Sequence, residues 1–74
     1  MPQETKEQRF RRVAEARVNS ILDKLRLLSQ TANKNNYNYS DAQVRRIFRA
    51  LRKATRETEE AFKGVAKRKD RFRL

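Results

Sequence analysis

The chain has 74 residues, with 20 Lys and Arg against 9 Asp and Glu, a formal net charge of +11, no His, Cys or Trp, and one each of Gly and Pro. A chain this short is one domain at most, with no disulfide, no thiolate zinc ligand and no Cys nucleophile. Without His it also lacks the commonest general base and the commonest metal ligand, so no enzyme, metal site or cofactor is expected.

In chain order, residues 1–5 read as a frayed terminus with no apolar signal region. No apolar run approaches the roughly 18 residues that a membrane-spanning helix needs. A cytoplasmic protein is therefore expected. The scarcity of Gly and Pro argues against a β fold, which needs turn residues every ten or so positions.

A helical period then begins near Glu7. Phe10, Ala14, Val18, Ile21, Leu25, Leu28 and Ala32 recur every three or four residues and form one face of a helix over about 7–32. Val13 and Leu22 widen that face. Ala16, Ser20 and Leu27 lie off it, either as plain surface residues or as a second contact face.

The run Asn33-Lys34-Asn35-Asn36-Tyr37-Asn38-Tyr39 reads as a loop. Asn ends helices and enters turns because it tolerates positive φ. Tyr37 and Tyr39 invite a base-stacking role, but Tyr39 has a competing place in a helix staple. Asn38-Tyr39-Ser40 matches a glycosylation acceptor, which carries no meaning in a cytoplasmic protein.

Ser40-Asp41-Ala42-Gln43 has the form of a capping box, with Ser40 at the N-cap and Gln43 at N3. Tyr39 and Val44 are placed for a hydrophobic staple across that start. A second helix over about 40–66 follows. Its apolar face is Val44, Ile47, Phe48, Leu51, Ala54, Phe62 and Val65, interrupted by Thr55 and Thr58. Gly64 is expected to loosen its last turns. Residues 67–74 form a basic tail, in which Phe72 and Leu74 offer a small apolar area to a membrane surface.

The expected fold is all-α: an antiparallel helical hairpin over residues 1–66 followed by the 67–74 tail. A lone hairpin of this size leaves its apolar faces half exposed, so self-association into a four-helix bundle is expected. The alternative is a ribbon-helix-helix dimer with residues 8–13 as its strand, although those residues lack clean alternation.

Charge patterning carries the functional reading. Arg45, Arg46, Arg49, Arg52, Lys53 and Arg56 follow one another with no acid among them. At ~100° per residue, Arg45, Arg49, Arg52, Arg56, Lys63 and Lys67 share a strip ~60° wide beside the apolar face. Such a strip suits a phosphate backbone, because each Arg offers a planar fork of donors. Arg68 and Lys69, with Arg11 and Arg12 at the start of the first helix, are further candidate contacts at a basic pole that also holds Arg9, Arg71 and Arg73. The bland alternative is a solvated face in which Glu57, Glu59 and Glu60 pair with Lys53, Arg56 and Lys63, while Asp23 offsets a little of the rest. The expected partner is nucleic acid, DNA rather than RNA. The rival expectation is a regulator or interaction module whose basic face docks an acidic partner protein.

Several stretches also resemble a known group: Phe10-Arg11-Arg12-Val13-Ala14-Glu15-Ala16-Arg17, Ile21-Leu22, Leu27-Leu28, the Asn/Tyr loop through Ser40, and Val44-Arg45-Arg46-Ile47-Phe48-Arg49-Ala50. Over residues 9–62 the chain resembles short helical proteins encoded on conjugative elements, plasmids and phages of Gram-positive bacteria. The Asn/Tyr loop leading into Val-x-x-Ile-Phe-x-Ala is the most specific part. The resemblance implies a setting in which small basic accessory proteins handle DNA, for example at a transfer origin. It carries over no functional residue.

Overall fold

The computed structural model describes residues 3–64. Among them are two helices, α1 (Lys6–Gln30) and α2 (Asp41–Lys63), and no strand. The all-α expectation therefore holds. The ribbon-helix-helix alternative does not, because residues 8–13 are helical. The chain divides into two units between Asn38 and Tyr39. The 67–74 tail and Val65 lie outside the described residues.

The start of α1 corrects the frayed reading of residues 1–5 at Glu4 and Thr5; residues 1 and 2 lie outside the described residues. Thr5 is an N-cap with extended backbone. Its Oγ1 accepts from the Gln8 N–H at 3.0 Å, and the Thr5 N–H donates to Gln8 Oε1 at 2.9 Å. Two amides that would otherwise lack helical partners are satisfied by one Thr-x-x-Gln pattern. Glu7 in the first turn complements the helix dipole.

The end of α1 comes earlier than the periodicity predicts. Ala32 continues the apolar spacing but lies in the turn after Gln30. The Thr31 N–H reaches Leu28 O at 2.9 Å and the Ala32 N–H reaches Ser29 O at 3.1 Å, so the chain closes on the tighter three-residue spacing. Hydroxyls occupy the same carbonyl region: Ser29 Oγ donates to Arg26 O at 2.6 Å and Thr31 Oγ1 to Leu28 O at 2.7 Å. Short hydroxyl side chains compete here with the helical ladder.

The loop uses Asn differently from the expectation. No described residue has positive φ. Asn33 instead works as an acceptor, its Oδ1 taking the Asn35 N–H at 3.0 Å. Its carbonyl takes the amides of Asn36 (3.1 Å) and Tyr37 (3.0 Å). The side chain mimics a backbone turn and the main chain completes it.

The capping box predicted for α2 is present. Ser40 Oγ accepts from the Gln43 N–H at 3.1 Å, and Gln43 Oε1 accepts from the Ser40 N–H at 2.8 Å. Tyr39 and Val44, the two staple positions, are each half-buried. Thr55 and Thr58 interrupt the apolar face less than their residue type suggests. Their hydroxyls donate inward to Leu51 O (2.9 Å) and Ala54 O (2.8 Å), which satisfies the polar group within the helix. Gly64 caps the helix with a negative φ, its N–H on Glu60 O.

No described side chain is fully buried. Val13, Ala14 and Leu28 are half-buried in the first unit, and Tyr39, Val44 and Leu51 in the second. Ile21, in the middle of the first apolar face, remains 57% exposed, and Phe48 in the second 44%. No helix of the described residues is long and apolar enough to cross a membrane.

Candidate nucleic-acid interface

The candidate surface is built on α2. Capping at Ser40 holds the first turn, so helical order begins just ahead of the first Arg pair. Arg45, Arg46, Arg49, Arg52, Lys53 and Arg56 all lie within continuous helix, and all are exposed. Arg45, Arg49, Arg52 and Arg56 share one strip. Their axial steps are about 6, 4.5 and 6 Å at 1.5 Å per residue. Arg46 and Lys53 widen the cationic arc to about 120° on the side away from Val44, Leu51 and Phe62. Lys63 lies near the midline of the strip, in the last turn of the helix.

Ion pairing separates the two units. Four pairs occur among the described residues, and all four belong to the first unit. Arg12 meets Glu4 through Nε at 2.7 Å and through Nη2 at 3.0 Å. Arg9 stands 3.7 Å from the same carboxylate. Arg11 lies 3.6 Å from Glu7, and Arg26 donates to Asp23 at 2.8 Å. Asp23 is thus engaged on its own helix.

On α2 no ion pair within 4.0 Å is found for any of the six cations from Arg45 to Arg56, or for Glu57, Glu59 and Glu60. The compensated face set out above as the bland alternative is not formed. From Arg45 to Arg52 sequence order accounts for this, because no acid stands three or four residues away except Asp41, four residues before Arg45. Glu57, Glu59 and Glu60 do stand at helical spacing from Lys53, Arg56 and Lys63, yet no such pair comes within 4.0 Å among the described residues.

The candidate residues therefore fall into three groups. The α2 cations are exposed and without ion pairs. Arg11 and Arg12 are exposed but engaged by Glu7 and Glu4. Lys67, Arg68 and Lys69 lie outside the described residues. Glu4, the acid that engages two Arg residues, escapes sequence reading because it precedes the helix and its partner is eight residues away, outside any helical spacing rule. The hydrogen bond from Arg12 holds the Glu4 carboxyl below the usual carboxylate range, and the same bond raises the Arg12 guanidinium.

Compared with protein-family models, curated proteins and solved structures, the chain matches none.

Proposed function

We propose that this protein binds nucleic acid, DNA in preference to RNA, as a small cytoplasmic accessory or architectural protein of a mobile genetic element, and that it catalyses no reaction. The observation that carries the reading is the run of six exposed α2 cations, from Arg45 to Arg56, with no ion pair among the described residues. Closely spaced like charges repel one another within the free chain, and an approaching phosphate backbone relieves that repulsion while releasing its own counterions. A helix about 10–12 Å across matches the ~12 Å width of a duplex major groove. The mobile-element setting rests on the resemblance over residues 9–62.

In this reading the two helices fold back as an antiparallel hairpin, and two copies close a four-helix bundle over the exposed apolar faces. Exposed side chains such as Ile21, Leu22 and Leu25 supply the apolar area for that closure.

Fluorescence anisotropy against duplex DNA, single-stranded DNA and duplex RNA across a salt series tests the proposal. Micromolar or tighter binding to duplex DNA, with log K falling steeply against log salt, is the expected result. The double variant Arg49→Ala/Arg52→Ala should weaken binding and lower the salt slope by roughly 2 with helicity unchanged. Unchanged affinity in that variant refutes the assignment. A second reading, docking on an acidic protein, is favoured by one feature: Ile47 and Phe48 are exposed on the same helix as the cations. In that case the chain captures a protein from lysate and shows no salt-dependent DNA binding.

A further inference from the structure

The cation run of α2 ends in three carboxylates, Glu57, Glu59 and Glu60, before Lys63 restores a positive charge. Their angular placement is unequal. At ~100° per residue, Glu59 and Glu60 stand on opposite flanks of the strip formed by Arg45, Arg49, Arg52 and Arg56, each about 50° from its midline. Glu57 stands about 110° away. Lys63 lies within about 10° of the midline, one turn beyond the flanking pair.

Spacing offers these acids several helical partners. Glu59 to Lys63 is even the favourable order for an i,i+4 pair. Yet no carboxylate of the three is within 4.0 Å of a cation among the described residues. Their charge is therefore left to act on whatever lies along the strip. A phosphate seated there near Lys63 meets a carboxylate on either side, inside the ~8 Å screening length of physiological salt.

We propose that Glu59 and Glu60 end the phosphate-binding track at Arg56 and keep Lys63 out of it, which limits both the length and the strength of the contact. Arg45 to Arg56 spans about 17 Å of helix, comparable to about five base pairs of duplex. The inference rests on the nucleic-acid reading and adds to it a boundary set by two residues.

The test is duplex-DNA anisotropy across a salt series with the full chain, using Glu→Gln variants that keep similar helix propensity. Glu59→Gln/Glu60→Gln should bind roughly threefold or more tighter and steepen the salt slope by about 1, as Lys63 gains a phosphate. Glu57→Gln, at the Lys53 edge of the cationic arc, should leave the salt slope unaltered, because Glu59 and Glu60 still flank Lys63. Lys63→Ala should leave the slope of the native chain unaltered but remove the added slope from the double Gln variant. Circular dichroism of every variant separates these effects from loss of helix. A lower slope for Lys63→Ala alone, or a gain from Glu57→Gln equal to that of the double variant, overturns the boundary while leaving nucleic-acid binding in place. Absence of duplex binding in the native chain and all variants overturns both.

Discussion

Arg12 grips Glu4 with two bonds, Nε to Oε2 at 2.7 Å and Nη2 to Oε1 at 3.0 Å, across the capped start of α1. The acid lies outside the helix and the base two turns inside it. The contact therefore ties the entering chain to the helix surface, and it places Arg12 in a different chemical state from the Arg residues of α2.

The contact gives a pH dependence of known sign. The folded Glu4 carboxyl is held below its ordinary range by the Arg12 hydrogen bond. The unfolded chain therefore binds more protons in the window between the two values. The contribution is complete above the ordinary carboxylate range and is lost as pH falls through the lowered folded value. Nuclear magnetic resonance titration of the Glu4 side chain should show an acid-shifted midpoint, and Arg12→Ala should raise it toward the ordinary carboxylate range. A Glu4 midpoint that is the same in the native chain and in Arg12→Ala contradicts this.

Arg12 and Arg49 should respond differently to removal. Arg49→Ala deletes a cation without an ion pair and should weaken duplex binding and lower the salt slope by about 1. Arg12→Ala deletes one that already has a carboxylate partner, so its effect should be clearly smaller. Salt-dependent anisotropy compares the two. Equal effects argue that phosphate displaces Glu4 from Arg12.

The two capping boxes should be separately measurable. Ser40→Ala removes the acceptor for the Gln43 amide and should cost about 1 kcal/mol in α2, and Thr5→Ala should cost a similar amount in α1. Hydrogen exchange at Gln43 and Gln8 reads each end alone. Ser40→Asp should retain most of the protection. Protection that is unchanged in Ser40→Ala removes the box from the account of α2.

Asn33 should matter as an acceptor and not through its backbone angle. Asn33→Asp keeps an oxygen for the Asn35 N–H, whereas Asn33→Gly frees φ and deletes that oxygen. Exchange at the Asn35 amide should be faster in the Gly variant and near native in the Asp variant. The opposite order restores the positive-φ explanation.

Self-association is tested on α1. Ile21→Glu/Leu25→Glu puts charge on its exposed apolar face and should shift sedimentation to the monomer. An unaltered sedimentation coefficient places any interface elsewhere.

Much of this protein was determined by local sequence signals. The three-to-four spacing from Phe10 to Leu28 and the Ser-x-x-Gln pattern at 40–43 set the helices because their physics acts over one or two turns. The Arg run from 45 to 56 marked the candidate surface for the same reason, since a helix turns nearby residues onto one face. Thr5-x-x-Gln8 had the same legible form and was missed only because a chain terminus invites a reading of disorder. The pairs Arg11–Glu7 and Arg26–Asp23 follow helical spacing, whereas three-dimensional structure alone decided that Arg12 is engaged and that Lys53, Arg56 and Lys63 are not paired with the acids at helical spacing from them. Glu4 reaches Arg12 over eight residues through a non-helical entry, and no spacing rule covers that path. It also decided that Asn33 turns the chain by accepting amides and that Thr55 and Thr58 donate their hydroxyls to carbonyls of their own helix, because a residue type permits several hydrogen bonds and only the folded backbone selects one.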